Sequence, residues 1–220
     1  MLSLYSNHLL SRTILLASNS PQRQKILKEI GLSFKVVPSN FAENLDQSSF
    51  SSPAEFVKET AKQKALDVAG SIEAKAKQHD LPHLIIAADT VVVLDNKIIG
   101  KPKSEEDNID ILKRLSGRKH LVFTGIALIV YDKKNENDPF KYHIRTLHDE
   151  TDVHMAPLPT DVIEAYVKTG EPANKAGGYA IQGLASTFIE GIKGDYFNVV
   201  GLPACKLAKE IYDLCKSSLL

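Results

Sequence analysis

The chain has 220 residues, and its 27 Lys and Arg balance its 27 Asp and Glu at a formal net charge of zero. Apolar residues at 43% and charged ones at 25% are the proportions of a soluble globular protein that buries its own core. The balance excludes a protein that coats nucleic acid through a basic excess, and no apolar run reaches the roughly 18 residues of a membrane span. The first dozen residues, MLSLYSNHLLSR, lack the apolar core of a secretory signal. They read as a tail, frayed or weakly targeting, ahead of a single domain over 13–220. Cys205 and Cys215 are the only cysteines. Ten residues of helix would set them about 15 Å apart, too far for a disulfide. That spacing points to a reducing compartment, the cytoplasm, with the nucleus as a second location. His79 and His83 are separated by Pro82, which removes a shared helical face for a metal.

Residues 13–17 (TILLA) form a short apolar run and predict a buried strand. Ser20 and Pro21 then open a helix that buries Ile26, Leu27 and Ile30 and stops at Gly31. A second strand is expected at 33–37, followed by a polar, acidic loop to Ser52. Ser52-Pro53-Ala54-Glu55 is a capping box for a long helix to about 77. Its apolar stripe is Val57, Ala61, Ala65, Val68 and Ile72, and Lys64 falls on that stripe. Residues 84–94 read as a central strand, turned by Asp95-Asn96 into a short return strand at 97–99. Ser104 caps a helix with Ile109, Leu112 and Leu115 inward, and residues 120–131 read as a long strand. A polar turn at 132–139 follows, then extended segments near 140–147 and 151–155. A helix from Thr160 or Asp161 to Gly170, a glycine-rich loop at 176–183, a strand at 187–192 and a helix at 203–215 complete the chain. The order implies an α/β fold with a mixed sheet and helices on its faces.

Some residues contradict a purely structural role. Asp89 lies inside an apolar strand, where an unpaired carboxylate costs several kcal/mol; it needs a cation, a metal or an open cleft. A structural carboxylate satisfied by backbone N–H groups is the competing reading. Lys101 follows the return strand, whose pairing can bring it near Asp89; an ordinary surface lysine before proline is the competing reading. Lys64 on the apolar stripe either snorkels or serves a site. The turn at 18–23 offers Ser18, Ser20, a helix start and Arg23, a set suited to phosphate oxygens. Gly100-Lys101-Pro102 is no Walker loop, and AGGYAIQG does not fit a dinucleotide fingerprint. Together, Arg23, Lys64 and Lys101 can neutralise a polyphosphate. Asp89, assisted by Glu43, can hold a divalent cation or activate water, the parts that phosphoryl transfer needs.

Four blocks then resemble one family. ILLASNSPQRQKIL is similar to an opening LASxSPRRxxLL, and IIAADTVVVLDNKIIGKP to a GADTxV…GKP block. LSGRKHLVFTGIAL resembles LSGxxHxVxTxxAL, and NKAGGYAIQG…GDYFNVVGLP resembles KAGAYxIQG…GxYxxVVGLP. In order, they resemble the Maf family of nucleoside triphosphate pyrophosphatases. The resemblance implies an ITPase-like fold: a mixed twisted sheet with helices on its faces and two lobes around a cleft. It implies hydrolysis of a nucleoside triphosphate to monophosphate and pyrophosphate with a divalent cation (Mg, Mn or Co), and a homodimer.

Under the resemblance, Asp89 is the catalytic base and a metal holder. Lys64 and Lys101 are the phosphate-site lysines, and Arg23 is the second arginine of SPRR. Ser18 and Ser20 add donors, and Glu43 is the remaining acid of a loop pair and a metal holder. Thr90 and Gln182 match the branch acting on dTTP and UTP, with modified pyrimidine nucleotides as further substrates. Gln22 stands where the family has a substrate-choice arginine, Ala42 where it has the first acid, and Gly178 where it has alanine. Gln22 and Ala42 motivate an alternative, a nucleotide-binding regulator with little turnover. A phosphatase releasing orthophosphate is a third reading.

Overall fold

The structure is a computed structural model that describes residues 1–75, 81–132, 138 and 141–220. The expected polar turn at 132–139, the extended segment's start at 140, the long helix's last residues at 76–77 and His79 fall wholly or partly outside the described residues. The elements run α1 (Ser6–Leu10), β1 (Ile14–Leu16), α2 (Pro21–Glu29), β2 (Lys35–Val36), α3 (Pro53–Glu73), β3 (Leu84–Leu94) and β4 (Lys97–Ile99). They continue with α4 (Glu105–Leu115), β5 (Lys119–Tyr131), β6 (Tyr142–Met155), α5 (Thr160–Lys168), β7 (Ile189–Lys193), α6 (Tyr196–Val200) and α7 (Ala204–Lys216). The helix starts follow the cap chemistry of the sequence. Ser20, Ser52 and Ser104 each accept a hydrogen bond from the backbone N–H three residues on.

One seven-stranded sheet has the order β2-β1-β3-β5-β6-β7, with β4 also on β3. β1 lies parallel to β2 and β3, and the other pairs are antiparallel. This is the mixed sheet expected. β5 covers one edge of β3 from Leu84 to Val93. The opposite edge is shared: β1 pairs residues 84–86 and β4 pairs residues 92–94. Residues 87–91 are left with no strand on that side, and the sheet opens there.

The core breaks at the same place. On one face, Leu84, Ile86 and Ala88 pack with α2 and α7, while Val92 and Leu94 pack with α4 and α5. On the other, Ile85 and Ala87 pack under the middle of α3, while Val91 and Val93 pack under its start. The positions between are Asp89 and Thr90. Two core halves flank a cleft, and the one carboxylate of the strand sits at the break, where it need not be sealed in hydrocarbon.

Gly125 lies opposite Asp89 on β5. A Cβ there would stand 2.3 Å from the Val57 carbonyl oxygen, so only glycine lets α3 rest directly on the sheet. That contact lowers the buried stripe of α3, with Lys64 on it, onto the strand of Asp89.

Several sequence expectations are revised. The extended segments at 140–147 and 151–155 are one strand, β6, because His148, Asp149 and Glu150 pair with Gly125, Thr124 and Phe123 across the sheet. The strand at 33–37 shrinks to Lys35–Val36, whose side chains are both exposed. The strand at 187–192 begins later, after a 3-10 turn at Leu184–Thr187. The first dozen residues are not frayed: Leu2 and Leu9 are buried, Tyr5 stacks edge-on against Tyr212, and His8 Nε2 lies 2.8 Å from the Leu220 carbonyl.

Candidate active site

A cavity of about 580 Å³ occupies the cleft. Its wall includes all ten residues singled out from the sequence: Ser18, Ser20, Gln22, Arg23, Glu43, Lys64, Asp89, Thr90, Lys101 and Gln182. They come from the start of α2, the loop before α3, α3 itself, β3, the segment after β4 and the loop after α5. Long-range folding has gathered what spacing could not.

The centre is a lysine bridge. Lys64 Nζ donates to Asp89 Oδ1 at 2.7 Å and stands 2.9 Å from Glu43 Oε1. Lys64 and Asp89 are 7% and 8% exposed, so each desolvated charge answers the other. Glu43 also reaches Lys101 Nζ at 3.6 Å. Burial alone would raise the Glu43 carboxyl, but Lys64, then Lys101 and Arg23, outweigh it and hold the group below its ordinary value. Glu43 has a left-handed backbone, φ 49°, an uncommon conformation for a non-glycine residue.

The loop carrying Glu43 is tied back to α3. Asp67 Oδ2 accepts from Ser39 Oγ and from the Asn40 N–H, each at 2.8 Å. Asp67 lies one turn after Lys64, so the same helix supplies the lysine and the tether for its second carboxylate.

Arg23 is the hub of the opposite side. Its Nε donates to the Gly201 carbonyl at 2.9 Å, Nη1 to Ser18 Oγ at 3.2 Å and Nη2 to Thr90 Oγ1 at 3.1 Å. Burial pulls the guanidinium below its ordinary value, and Asp89 and Glu43 pull it back. With these donors spent on protein oxygens, Arg23 offers the cavity its charge more than a free fork. Thr90 Oγ1 shares a second hydrogen bond with Thr124 Oγ1 at 2.9 Å, and Thr124 donates to the Asn198 carbonyl at 3.0 Å. Thr90 is thereby fixed in the cleft floor. Ser20 Oγ donates to Gln22 Oε1 at 3.3 Å and turns that amide along the start of α2.

Among the wall residues that the sequence reading passed over, two stand out, Lys175 and Tyr179. Lys175 lines the cavity, and among the described residues its ammonium has no hydrogen bond or ion pair. The Gly177 N–H donates to the Gly100 carbonyl at 3.1 Å, which lays this segment beside Lys101. Tyr179 is the other; its hydroxyl lies 2.7 Å from His120 Nε2 in a buried pair. Burial, then His154, lowers His120 to about 4, so the ring is neutral at physiological pH. Both Lys175 and Tyr179 lie in the KAGGY stretch, whose glycines alone had drawn notice.

Asp89 and Glu43 are the only carboxylates on the cavity wall among the described residues, and no cluster of three His, Cys, Asp or Glu suited to a metal occurs among them. Two carboxylates do not enclose an ion. They fit a magnesium-type cation that takes its other ligands from water and substrate phosphates. No helix among the described residues is long and apolar enough to cross a membrane.

Four cationic side chains, Arg23, Lys64, Lys101 and Lys175, face two carboxylates, with Val92, Val122 and Val199 on the wall beside them. Fold and cleft define an α/β protein shaped to receive a polyanion that carries an apolar group. The chain belongs to the Maf-like protein family, whose profile matches residues 13–214. It is 41% identical over 203 residues to a dTTP/UTP pyrophosphatase of Ruminiclostridium cellulolyticum, covering 92% of this chain and 96% of that one. It is 45% identical over 197 residues to a dTTP/UTP pyrophosphatase of Desulforamulus reducens, covering 90% of this chain and 94% of that one. It is also similar, at 42% over 206 residues, to a probable bifunctional dTTP/UTP pyrophosphatase/methyltransferase protein of Homo sapiens. There it covers 94% of this chain but spans 32% of the human relative.

Proposed function

We propose that this protein hydrolyses dTTP, UTP and modified pyrimidine nucleoside triphosphates to the monophosphate and pyrophosphate. The observation that carries the reading is the Lys64 bridge between Asp89 and Glu43 at the head of a cationic cleft. Water attacks the α-phosphorus, the α–β bridging bond breaks, and pyrophosphate leaves. Asp89 takes the proton of the attacking water, and Lys64 holds the Asp89 and Glu43 carboxylates in register. Lys101, Lys175 and the charge of Arg23 neutralise the β- and γ-phosphates, and Ser18, Ser20 and the start of α2 add donors. The base lies against Val92, Val122 and Tyr179, with the Gln182 and Gln22 amides at its polar edge. Thr90 shapes the floor through Arg23 and Thr124. A divalent cation (Mg, Mn or Co) held by Asp89 and Glu43 would neutralise phosphate charge when bound.

The test is product analysis with UTP, dTTP, CTP, GTP and ATP in the presence of each cation. Pyrophosphate from pyrimidine nucleotides, lost in Asp89→Asn, is the expected result. Orthophosphate as the product would make the protein a phosphatase. Tight nucleotide binding without any product would make it a binding regulator, with Ala42 and Gln22 the first suspects.

A further inference from the structure

The turn that carries Gln182 is gripped on both flanks by one side-chain pair. On the N-terminal flank the Ala180 N–H donates to Tyr166 Oη at 3.1 Å. On the C-terminal flank the Leu184 N–H donates to Glu171 Oε2 at 2.9 Å and the Ala185 N–H to Glu171 Oε1 at 3.3 Å. The two anchors are joined, because Tyr166 Oη donates to Glu171 Oε1 at 3.0 Å. The Gly183 N–H closes the turn on the Ala180 carbonyl at 2.9 Å.

The arrangement is built for the purpose. The 3-10 turn at Leu184–Thr187 has no cap from its own leading residue, so Glu171 supplies the acceptor from 13 residues earlier. A Cβ at Gly183 would lie 2.2 Å from Glu171 Oε2, so glycine is what lets the carboxylate pass under the turn. Burial pushes the Tyr166 hydroxyl up, and its ring packs edge-on against Phe188 at 5.0 Å. The Gln182 amide itself makes no hydrogen bond among the described residues, and Gln182 is an exposed residue that lines the cavity. Only its backbone orients it, and that backbone is what the pair holds.

We propose that Tyr166 and Glu171 are positioning residues that fix the Gln182 carboxamide toward the pyrimidine edge and so set base selectivity. The inference rests on the pyrophosphatase reading, with Gln182 at the base. Neither residue lines the cavity, so neither touches the nucleotide. In Glu171→Gln the carboxamide can accept on one side only and turns an N–H against a backbone N–H. The turn then relaxes, and Gln182 loses its aim. Tyr166→Phe opens the other flank and serves if the first variant folds poorly.

The readout is the ratio of kcat/KM for UTP over CTP, which differ at the 4-oxo or 4-amino group and at N3, an N–H donor in uracil and an acceptor in cytosine, a pattern that an amide can distinguish. The same ratio is read as Kd by calorimetry. Glu171→Gln should lower it about tenfold, matching Gln182→Ala, with kcat on UTP within about threefold of wild type. The double variant should lose no more than Gln182→Ala alone. A lowered melting temperature with an unchanged ratio would overturn the proposal and leave Glu171 as a cap only. A wild type that does not distinguish UTP from CTP would overturn it too. Failure of the wild type to release pyrophosphate would overturn the pyrophosphatase reading instead, and the Kd ratio would still decide the clamp.

Discussion

Replacing Lys64 with Met deletes the charge that organises the cleft while keeping an unbranched stem on the buried stripe of α3. Asp89 and Glu43 then face one another without their shared cation. Breaking a fully buried ion pair costs about 3–5 kcal/mol. Asp89 is buried deeply enough to qualify, but the Glu43 side chain is 42% exposed and water screens its share. The expected loss is therefore about 3 kcal/mol at pH 7, which in a chain of this size lowers the melting temperature by about 6–12 °C. The pH dependence has a definite sign. Glu43 is held below its ordinary value of 4.5, so its stabilisation is present above that value and lost as pH falls through the lower folded one. The gap between wild type and Lys64→Met should be full at pH 7 and shrink steadily below 4.5. Thermal melts followed by circular dichroism at pH 7, 5 and 3.5 measure it. Equal melting temperatures at pH 7, or a gap that does not change with pH, would refute the bridge as the source of the stability.

Other consequences follow from single contacts. Gly125→Ala would set a Cβ against the backbone of α3 and should cost about 3 kcal/mol, with activity falling in step because α3 carries Lys64. Urea denaturation checks it, and unchanged stability would show that the helix is free to move. Lys175→Ala removes a cavity cation whose ammonium has no protein partner among the described residues, so KM for UTP should rise about tenfold and inhibition by added pyrophosphate should weaken equally. Its kcat should stay within about threefold; unchanged pyrophosphate inhibition would remove Lys175 from the phosphate site.

What could be read in advance was whatever broke a local pattern. Asp89 interrupts an apolar strand and Lys64 an apolar helical stripe, and they prove to be one ion pair. The serine caps were legible because their chemistry is local. The cleft was implied by the family resemblance alone and no local pattern placed it, because it arises where β1 and β4 share one edge of β3 and leave residues 87–91 between them, a matter of long-range register. β6 looked like two segments because His148, Asp149 and Glu150 resemble a turn, yet ladder pairing with β5 overrides their composition. Glu171 and Lys175 sit in irregular stretches, where a charged residue contradicts no periodicity. Their roles depend on Leu184 and Ala185, 13 and 14 residues beyond Glu171, and on the Gly177–Gly100 contact beside Lys175.

The central claim is attack of water on the α-phosphorus at Asp89. Hydrolysis of UTP in water enriched in heavy oxygen tests it most directly, with each product weighed by mass spectrometry. The label should appear in UMP and be absent from pyrophosphate, and Asp89→Asn should form neither product at a comparable rate. Label in the pyrophosphate, or orthophosphate as the labelled product, would contradict the account.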